Sequence, residues 1–216
     1  NNEYEYYAFC DQDDIWLNNK LSAAILKIKE LKQNNKPILY TSRVISVNNN
    51  QTIIKKNTFN TSRSLNVYES FQKSVVPGCT FVFNKEAKEL LKIYDGYMES
   101  HDWAAYCIIN TFGKVLYDHN SYIYYRIHEN NTIGHTNSFK VFLHKIQRFF
   151  KKSKNSRSKF ARDFFECYKN IIPKEYYDEI RNLAYYRNSI KFKTSLFLSS
   201  KFKGLVFKIY VLLNKI

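Results

Sequence analysis

The segment that most constrains this chain is a short apolar run followed at once by carboxylates. Residues 6–10 read Tyr-Tyr-Ala-Phe-Cys, and a helical pattern begins at Asn18 or Asn19. Three aspartates stand between them: Asp11, Asp13 and Asp14. The apolar run is typical of the end of a buried strand, and ligand crevices in open α/β sheets lie beyond the carboxyl ends of strands. Acidic oxygens there suit hard cations that also hold phosphates, whereas the simpler alternative is that they cap a helix or form Asx turns.

The rest of the first half alternates between strand and helix patterns, which predicts an α/β fold. Residues 20–31 carry apolar side chains at spacings of three and four, as in a helix that faces a sheet. Residues 38–47 are rich in β-branched and aromatic residues and predict a strand with a hairpin return at 52–54. Further strands are predicted over 79–83, 114–117 and 121–125, and further helices over 67–73, 85–94 and 104–111.

Three later segments place polar residues where predicted strands and helices meet. They are Gly78-Cys79-Thr80, His101-Asp102-Trp103 and Arg126-Ile127-His128. Each has an ordinary structural explanation: a core strand after a turn, a helix cap, and a surface histidine. Each also offers chemistry, since a carboxylate at a fixed helix start can act as a general base and an imidazole can bind a metal.

These segments together carry a family resemblance. Residues 11–16, Asp-Gln-Asp-Asp-Ile-Trp, with Lys20-Leu21, closely resemble the Asp-x-Asp segment of family 2 glycosyltransferases, especially the bacterial rhamnosyltransferase-like branch. Residues 78–80 resemble its Gly-x-Thr/Ser segment, and residues 101–103 resemble its Glu/His-Asp-Trp segment. Residues 125–134 resemble its Tyr-Arg-x-His-x-x-Asn-x-x-Gly segment. Four motifs in this order, from about residue 4 to residue 135, are more specific than any one of them.

The resemblance implies a fold and a set of site residues. The fold is a GT-A-like mixed sheet flanked by helices, without its N-terminal nucleotide-binding strands. The implied ligands of Mg²⁺ or Mn²⁺ are Asp13, Asp11 and His128. The implied diphosphate-binding residues are Asp11, Asp14, Arg126 and His128. Asp102 is the implied general base, and the implied acceptor and sugar side consists of Gly78, Thr80, His101, Trp103 and Trp16.

The implied reaction is inverting hexosyl transfer in cell-surface polysaccharide synthesis. The donor would be a nucleotide-diphosphate sugar, with dTDP-rhamnose favoured and a UDP-sugar as the other choice. The acceptor would be a saccharide or a lipid-linked saccharide. Two alternatives stay open: a retaining mechanism, and a non-catalytic module whose acids only cap helices and whose tail docks to membrane or RNA.

Charge divides the chain into a body, residues 1–138, and a basic tail, residues 139–216. The net charge is +15, and the tail holds 19 Lys and Arg against 5 Asp and Glu. Lysines beside apolar residues at helical spacing predict amphipathic helices on an anionic membrane surface, hence a cytoplasmic protein peripheral to the inner face of the plasma membrane. A solvated basic face packed on the body is the alternative. Nucleic acid is not favoured, because no recognition motif accompanies the charge.

Three further expectations concern the cysteines, the length of the apolar runs and the beginning of the chain. The four cysteines are isolated, which favours free thiols over disulfides or a zinc site. No stretch reaches the roughly 18 apolar residues of a membrane-spanning helix. The resemblance places the nucleotide-binding strands upstream of Asn1, so we expect a fragment that alone binds a nucleotide sugar poorly.

Overall fold

The computed structural model describes residues 4–31, 35–58, 65–127 and 155–216. Within these ranges the chain forms an α/β fold with six strands and eight α-helices. The strands are β1 Tyr6–Ala8, β2 Ile15–Trp16, β3 Ile38–Val47, β4 Ile53–Thr58, β5 Val82–Asn84 and β6 Lys114–Arg126. The helices are α1 Lys20–Glu30, α2 Val67–Gln72, α3 Lys85–Lys92, α4 His101–Phe112, α5 Ser156–Tyr168, α6 Lys174–Tyr185, α7 Ile190–Leu198 and α8 Leu205–Leu212. A short 3₁₀ helix, Gly78–Thr80, precedes β5.

The six strands form one mixed sheet in the order β1-β5-β3-β6-β2, with β4 also paired to β3. The long strand β3 is central: it runs parallel to β6 and antiparallel to β5 and β4. The short strand β2 is antiparallel to β6, with Ile15 opposite Tyr124. This pairing brings the acidic segment beside the end of β6, where Arg126 lies.

Helices cover both faces of the sheet because successive strand residues point to opposite sides. On one face Ile38 and Tyr40 of β3 pack with Ala24 and Ile28 of α1. On the other face Leu39 packs with residues of α3 and α4, among them Ala87, Ala105 and Ile109. Every one of these residues is buried, so the sheet rests on two apolar layers.

The helices after residue 155 pack against the outer side of α4 and α2. Phe160 lies 4.8 Å from Trp103 between ring centroids, and Phe164 lies 5.1 Å from Phe71. The Tyr168 hydroxyl donates to the Leu90 carbonyl oxygen at 2.9 Å. These contacts join body and basic tail in one hydrophobic cluster.

Most predicted elements are present, with a few differences. The predicted strand over 38–47 forms with those bounds, whereas the predicted strands over 114–117 and 121–125 form a single strand, β6. The run at 6–10 forms only a three-residue strand, β1, which pairs with β5 alone and is half-buried rather than fully buried. Neither β2 nor α7 was predicted. No helix among the described residues is long and apolar enough to cross a membrane.

Candidate active site

The acidic segment is a loop between β1 and β2, and the end of β6 holds it in place. The Arg126 backbone N–H donates to Oδ1 of Asp14 at 3.1 Å, and its Nε donates to the Asp13 carbonyl oxygen at 3.1 Å. The following helix, α1, begins after Asn19, and its first turn contains no acidic residue. The three aspartates therefore do not cap α1.

Two aspartates and one cysteine form the candidate ligand cluster. Asp11, Asp14 and Cys79 each offer one ligand atom, and these atoms lie within 4.8 Å of one another. Oδ2 of Asp14 is buried and has no hydrogen-bond partner among the described residues. Because a buried carboxylate oxygen ordinarily has a partner, this oxygen is available to a cation. Asp13 lies in the same loop but outside this cluster.

Lys20 supplies a buried positive charge beside the cluster. Lys20 is 2% exposed, and its Nζ lies 3.4 Å above the centre of the Trp16 ring. No described residue forms a hydrogen bond with this Nζ. Burial lowers the pKa of Lys20 to about 8, although the nearby acidic groups of Cys79, Cys10, Asp14 and Asp11 act in the opposite direction.

The N-terminal end of α4 forms the opposite side of the site. The His101 ring packs edge-on against Phe9 with 4.8 Å between centroids, which ties α4 to the chain just before the acidic loop. Oδ1 of Asp102 accepts a hydrogen bond from the Trp103 backbone N–H at 2.8 Å. Gly78 lies against Asp102, since a Cβ on Gly78 would lie 2.3 Å from the Asp102 Cβ.

The pKa shifts reflect the closeness of these groups. Burial is the first cause that raises the pKa of Asp11; the charges of Asp13 and Asp102 raise it further, while His101 and Lys20 lower it. Asp102 lies against Gly78, and the adjacent Cys79 shares the ligand cluster with Asp11 and Asp14, so the start of α4 lies near the acidic loop.

The pKa values of the other two groups of the cluster, Asp14 and Cys79, are also raised. Burial raises the pKa of Asp14, and the neighbouring aspartates add to it, while the backbone hydrogen bond from Arg126 and the nearby Cys79 thiol lower it. Burial also raises the pKa of the Cys79 thiol. The Tyr125 hydroxyl has its pKa raised to about 12 by burial, followed by the nearby Cys79 and aspartates. Negative charge is thus held close together, and a divalent cation would relieve it.

Two residues expected on the acceptor side lie in the interior instead. Thr80 is 1% exposed, and its hydroxyl contacts the Thr41 hydroxyl at 2.8 Å and donates to the Pro77 carbonyl oxygen at 2.8 Å. Trp103 is also buried, and its Nε1 donates to the Ser70 carbonyl oxygen at 2.6 Å. Both side chains are buried and hydrogen-bonded inside the protein.

The other predicted site residues divide into those near the acids and those outside the described part. Gly78, His101 and Asp102 lie beside the acidic loop, and half-buried Trp16 borders it through Lys20. His128 lies outside the described residues, so its role as a ligand stays a prediction.

Sequence reasoning did not assign site roles to Lys20 and Cys79. The sequence signal for Lys20 was its place in the family resemblance, where Lys20-Leu21 follows the Asp-Gln-Asp-Asp-Ile-Trp segment. Cys79 stands at the variable position of the Gly-x-Thr segment. Its approach to Asp14 depends on a fold contact that no local pattern reveals.

Comparison with known proteins found one partial similarity. The chain is similar to dTDP-rhamnosyl transferase RfbG of Shigella flexneri, with 32% identity over 146 residues that make up 64% of this chain and 48% of the relative. The chain therefore spans about half the length of the curated relative that it matches. No family model matches it. Its α/β architecture, a mixed sheet flanked by helices, is compatible with a glycosyltransferase-like fold, and the similarity supports a glycosyltransferase-like relationship.

Proposed function

We propose that this chain is the metal- and acceptor-binding part of an inverting glycosyltransferase that uses dTDP-rhamnose. The observation that carries the proposal is geometric: Asp102 lies against Gly78, and the next residue, Cys79, belongs to the ligand cluster with Asp11 and Asp14. The similarity to a dTDP-rhamnosyl transferase supports both the reaction and the donor. The acceptor in this proposal is a saccharide of a cell-surface polysaccharide.

In the proposed reaction Asp102 is the general base. Its carboxylate takes the proton from the acceptor hydroxyl, whose oxygen then attacks the anomeric carbon of the sugar. The bond from that carbon to the diphosphate oxygen breaks, and the nucleoside diphosphate leaves with the bonding electrons. Attack from the side opposite the leaving group inverts the anomeric configuration.

The leaving group needs positive charge, and the acidic loop is the part of the chain that would provide it. Asp11, Asp14 and Asp13 would hold Mg²⁺ or Mn²⁺, which offsets the charge that develops on the diphosphate. The unpartnered Oδ2 of Asp14 fits this role. Lys20 and Arg126 add fixed positive charge at the same loop. His128 completes the proposed set as a further ligand.

Replacing Asp102 tests the proposal most directly. In the full-length protein that carries this sequence, Asp102→Asn should lower the rate of Mn²⁺-dependent transfer from dTDP-rhamnose by roughly 10²- to 10⁴-fold, the usual contribution of a general base. Donor affinity, measured by calorimetry, should change little. Asp178→Asn is the matched control, because Asp178 is an exposed partner of Arg181 on α6.

Two results would contradict the proposal. Transfer at the wild-type rate by Asp102→Asn would remove Asp102 as the base. A product with retained anomeric configuration, read from its NMR spectrum, would exclude the single inverting displacement.

A further inference from the structure

The last helix, α8, exposes an apolar stripe on one side. Five residues of α8 and its end lie at spacings of one, four, seven and eight from the first, so they share one side of the helix. Their exposed fractions run from 39% to 76%: Leu205, Val206, Ile209, Leu212 and Leu213. The opposite side of α8 packs into the protein through Phe207 and Val211, which are 7% and 0% exposed. The helix is therefore anchored by one side and exposes an apolar surface on the other.

Basic residues surround this stripe in the sequence, and acidic residues are absent from it. From Ile180 to Ile216 the sequence has eight Lys and Arg and no Asp or Glu. Lys201 and Lys203 are exposed just before α8, and Lys191 is exposed at the start of α7. Ile190 and Leu198, at the two ends of α7, are each 75% exposed. Large exposed apolar side chains in a uniformly basic segment indicate a binding surface rather than a solvated one.

We propose that the α8 stripe, residues 205, 206, 209, 212 and 213, docks on an anionic lipid bilayer. An apolar helix side with flanking lysines matches the two layers of such a surface, since leucines enter the boundary of the acyl chains and lysines meet the negative head groups. A second copy of this chain fits less well, because two copies of the same basic face would bring like charges together. The proposal does not depend on catalysis.

Vesicle sedimentation with the complete chain tests this surface. Wild-type protein should bind vesicles of 30% phosphatidylglycerol in phosphatidylcholine, bind pure phosphatidylcholine much more weakly, and bind less as salt is raised. The double variant Val206→Glu/Leu213→Glu should bind at least about tenfold more weakly, because two apolar side chains of the stripe are lost. The double variant Lys191→Gln/Lys203→Gln should bind anionic vesicles about fivefold more weakly for each lysine that it loses.

The control is Leu26→Glu on α1. Leu26 is 62% exposed, as Val206 is, but lies in a different helix on the sheet. The Leu26→Glu variant should bind vesicles as the wild type does. All variants should keep the wild-type melting temperature, because each replaced side chain is exposed. Failure of the wild type to sediment with anionic vesicles overturns the proposal. Equal binding by wild type and Val206→Glu/Leu213→Glu, or equal loss in Leu26→Glu, overturns it as well.

Discussion

The acidic loop and the aromatic cluster under α4, the rings in contact around Phe164, differ in the surroundings of their buried polar groups. In the cluster the Tyr168 hydroxyl and the Trp103 Nε1 each reach a backbone carbonyl oxygen. Around the loop three buried polar atoms have no hydrogen-bond partner among the described residues: Oδ2 of Asp14, Nε1 of Trp16 and Nζ of Lys20. Other buried atoms also lack a partner among the described residues, among them Nε2 of Gln72 on α2 and Nδ2 of Asn110 on α4. The loop differs because its three unpaired atoms lie together beside the candidate ligand cluster.

The same contrast appears in charge. The aromatic cluster gains stability from ring contacts and the burial of apolar area. The loop instead concentrates like charges, which raise the pKa of Asp11 beyond the effect of burial. We expect truncations in the cluster to destabilise the protein, and we expect removal of the buried Lys20 charge to stabilise it, because burial is the main influence on that charge.

The largest effect is expected from Phe164→Ala in the aromatic cluster. Phe164 is fully buried, and its ring centroid lies within 6.0 Å of four others: Phe71, Phe112, Phe160 and Tyr168. Its truncation leaves a cavity and should lower the free energy of unfolding by about 3–5 kcal/mol, measured by urea denaturation. Tyr4→Ala, at a ring that is 60% exposed, is the control and should change it by less than about 0.5 kcal/mol. Equal losses in the two variants would show that the cluster is not the stabilising core.

Lys20→Met should raise the free energy of unfolding, whereas Phe164→Ala should lower it. The folded protein lowers the pKa of Lys20 from 10.5 to about 8, with burial as the main cause, so folding disfavours the charged form. The resulting penalty is fully present below pH 8 and is lost as the pH rises from 8 to 10.5, because the unfolded chain then binds more protons. This shift corresponds to a penalty on the order of 3 kcal/mol.

The test is the difference between the wild-type and Lys20→Met unfolding free energies as a function of pH. At pH 7 the variant should be the more stable protein, and the difference should shrink as the pH approaches 10.5. Taking the difference cancels the titration of the tyrosines and cysteines that both proteins share. Lys27→Met, on the exposed side of α1 where Lys27 pairs with Glu30, should show no such pH dependence. A variant that is less stable at every pH would mean that attraction to the acids outweighs burial.

Local patterns predicted the elements whose residues are buried in a regular way. β3 was predicted with the bounds that it has, since its β-branched and aromatic residues are nearly all buried. β2 has only two residues, too few for any periodicity, and it forms because β6 offers it a partner. α7 was missed because its apolar residues do not form a stripe: Ile190 and Leu198 are exposed, while Leu196 is buried.

The candidate site divides in the same way. Acidic residues after a strand and at a helix start could be predicted because their positions follow from local patterns. In the structure, Asp102 lies against Gly78, next to the Cys79 that clusters with Asp11. The parts that could not be predicted depend on contacts between distant segments. Cys79 reaches Asp14 through the turn before β5, and Arg126 reaches the loop through the pairing of β2 with β6.

Gly78→Ala tests the boundary between the two regions, with the smallest expected effect. The new Cβ would meet the Cβ of Asp102 at 2.3 Å, and α4 cannot shift freely because Trp103 and Cys107 are held in the aromatic cluster. We therefore expect a loss of about 1–3 kcal/mol in the free energy of unfolding, as in other overpacked sites, and displacement of Asp102 from the acidic loop. Asp102→Gly in the same chain should restore much of the stability, since it removes the atom that clashes, whereas Asp102→Ala should not, since it keeps that Cβ. If Asp102→Ala and Asp102→Gly restore the stability of Gly78→Ala equally, the contact with the Asp102 Cβ is not the reason that position 78 needs a glycine.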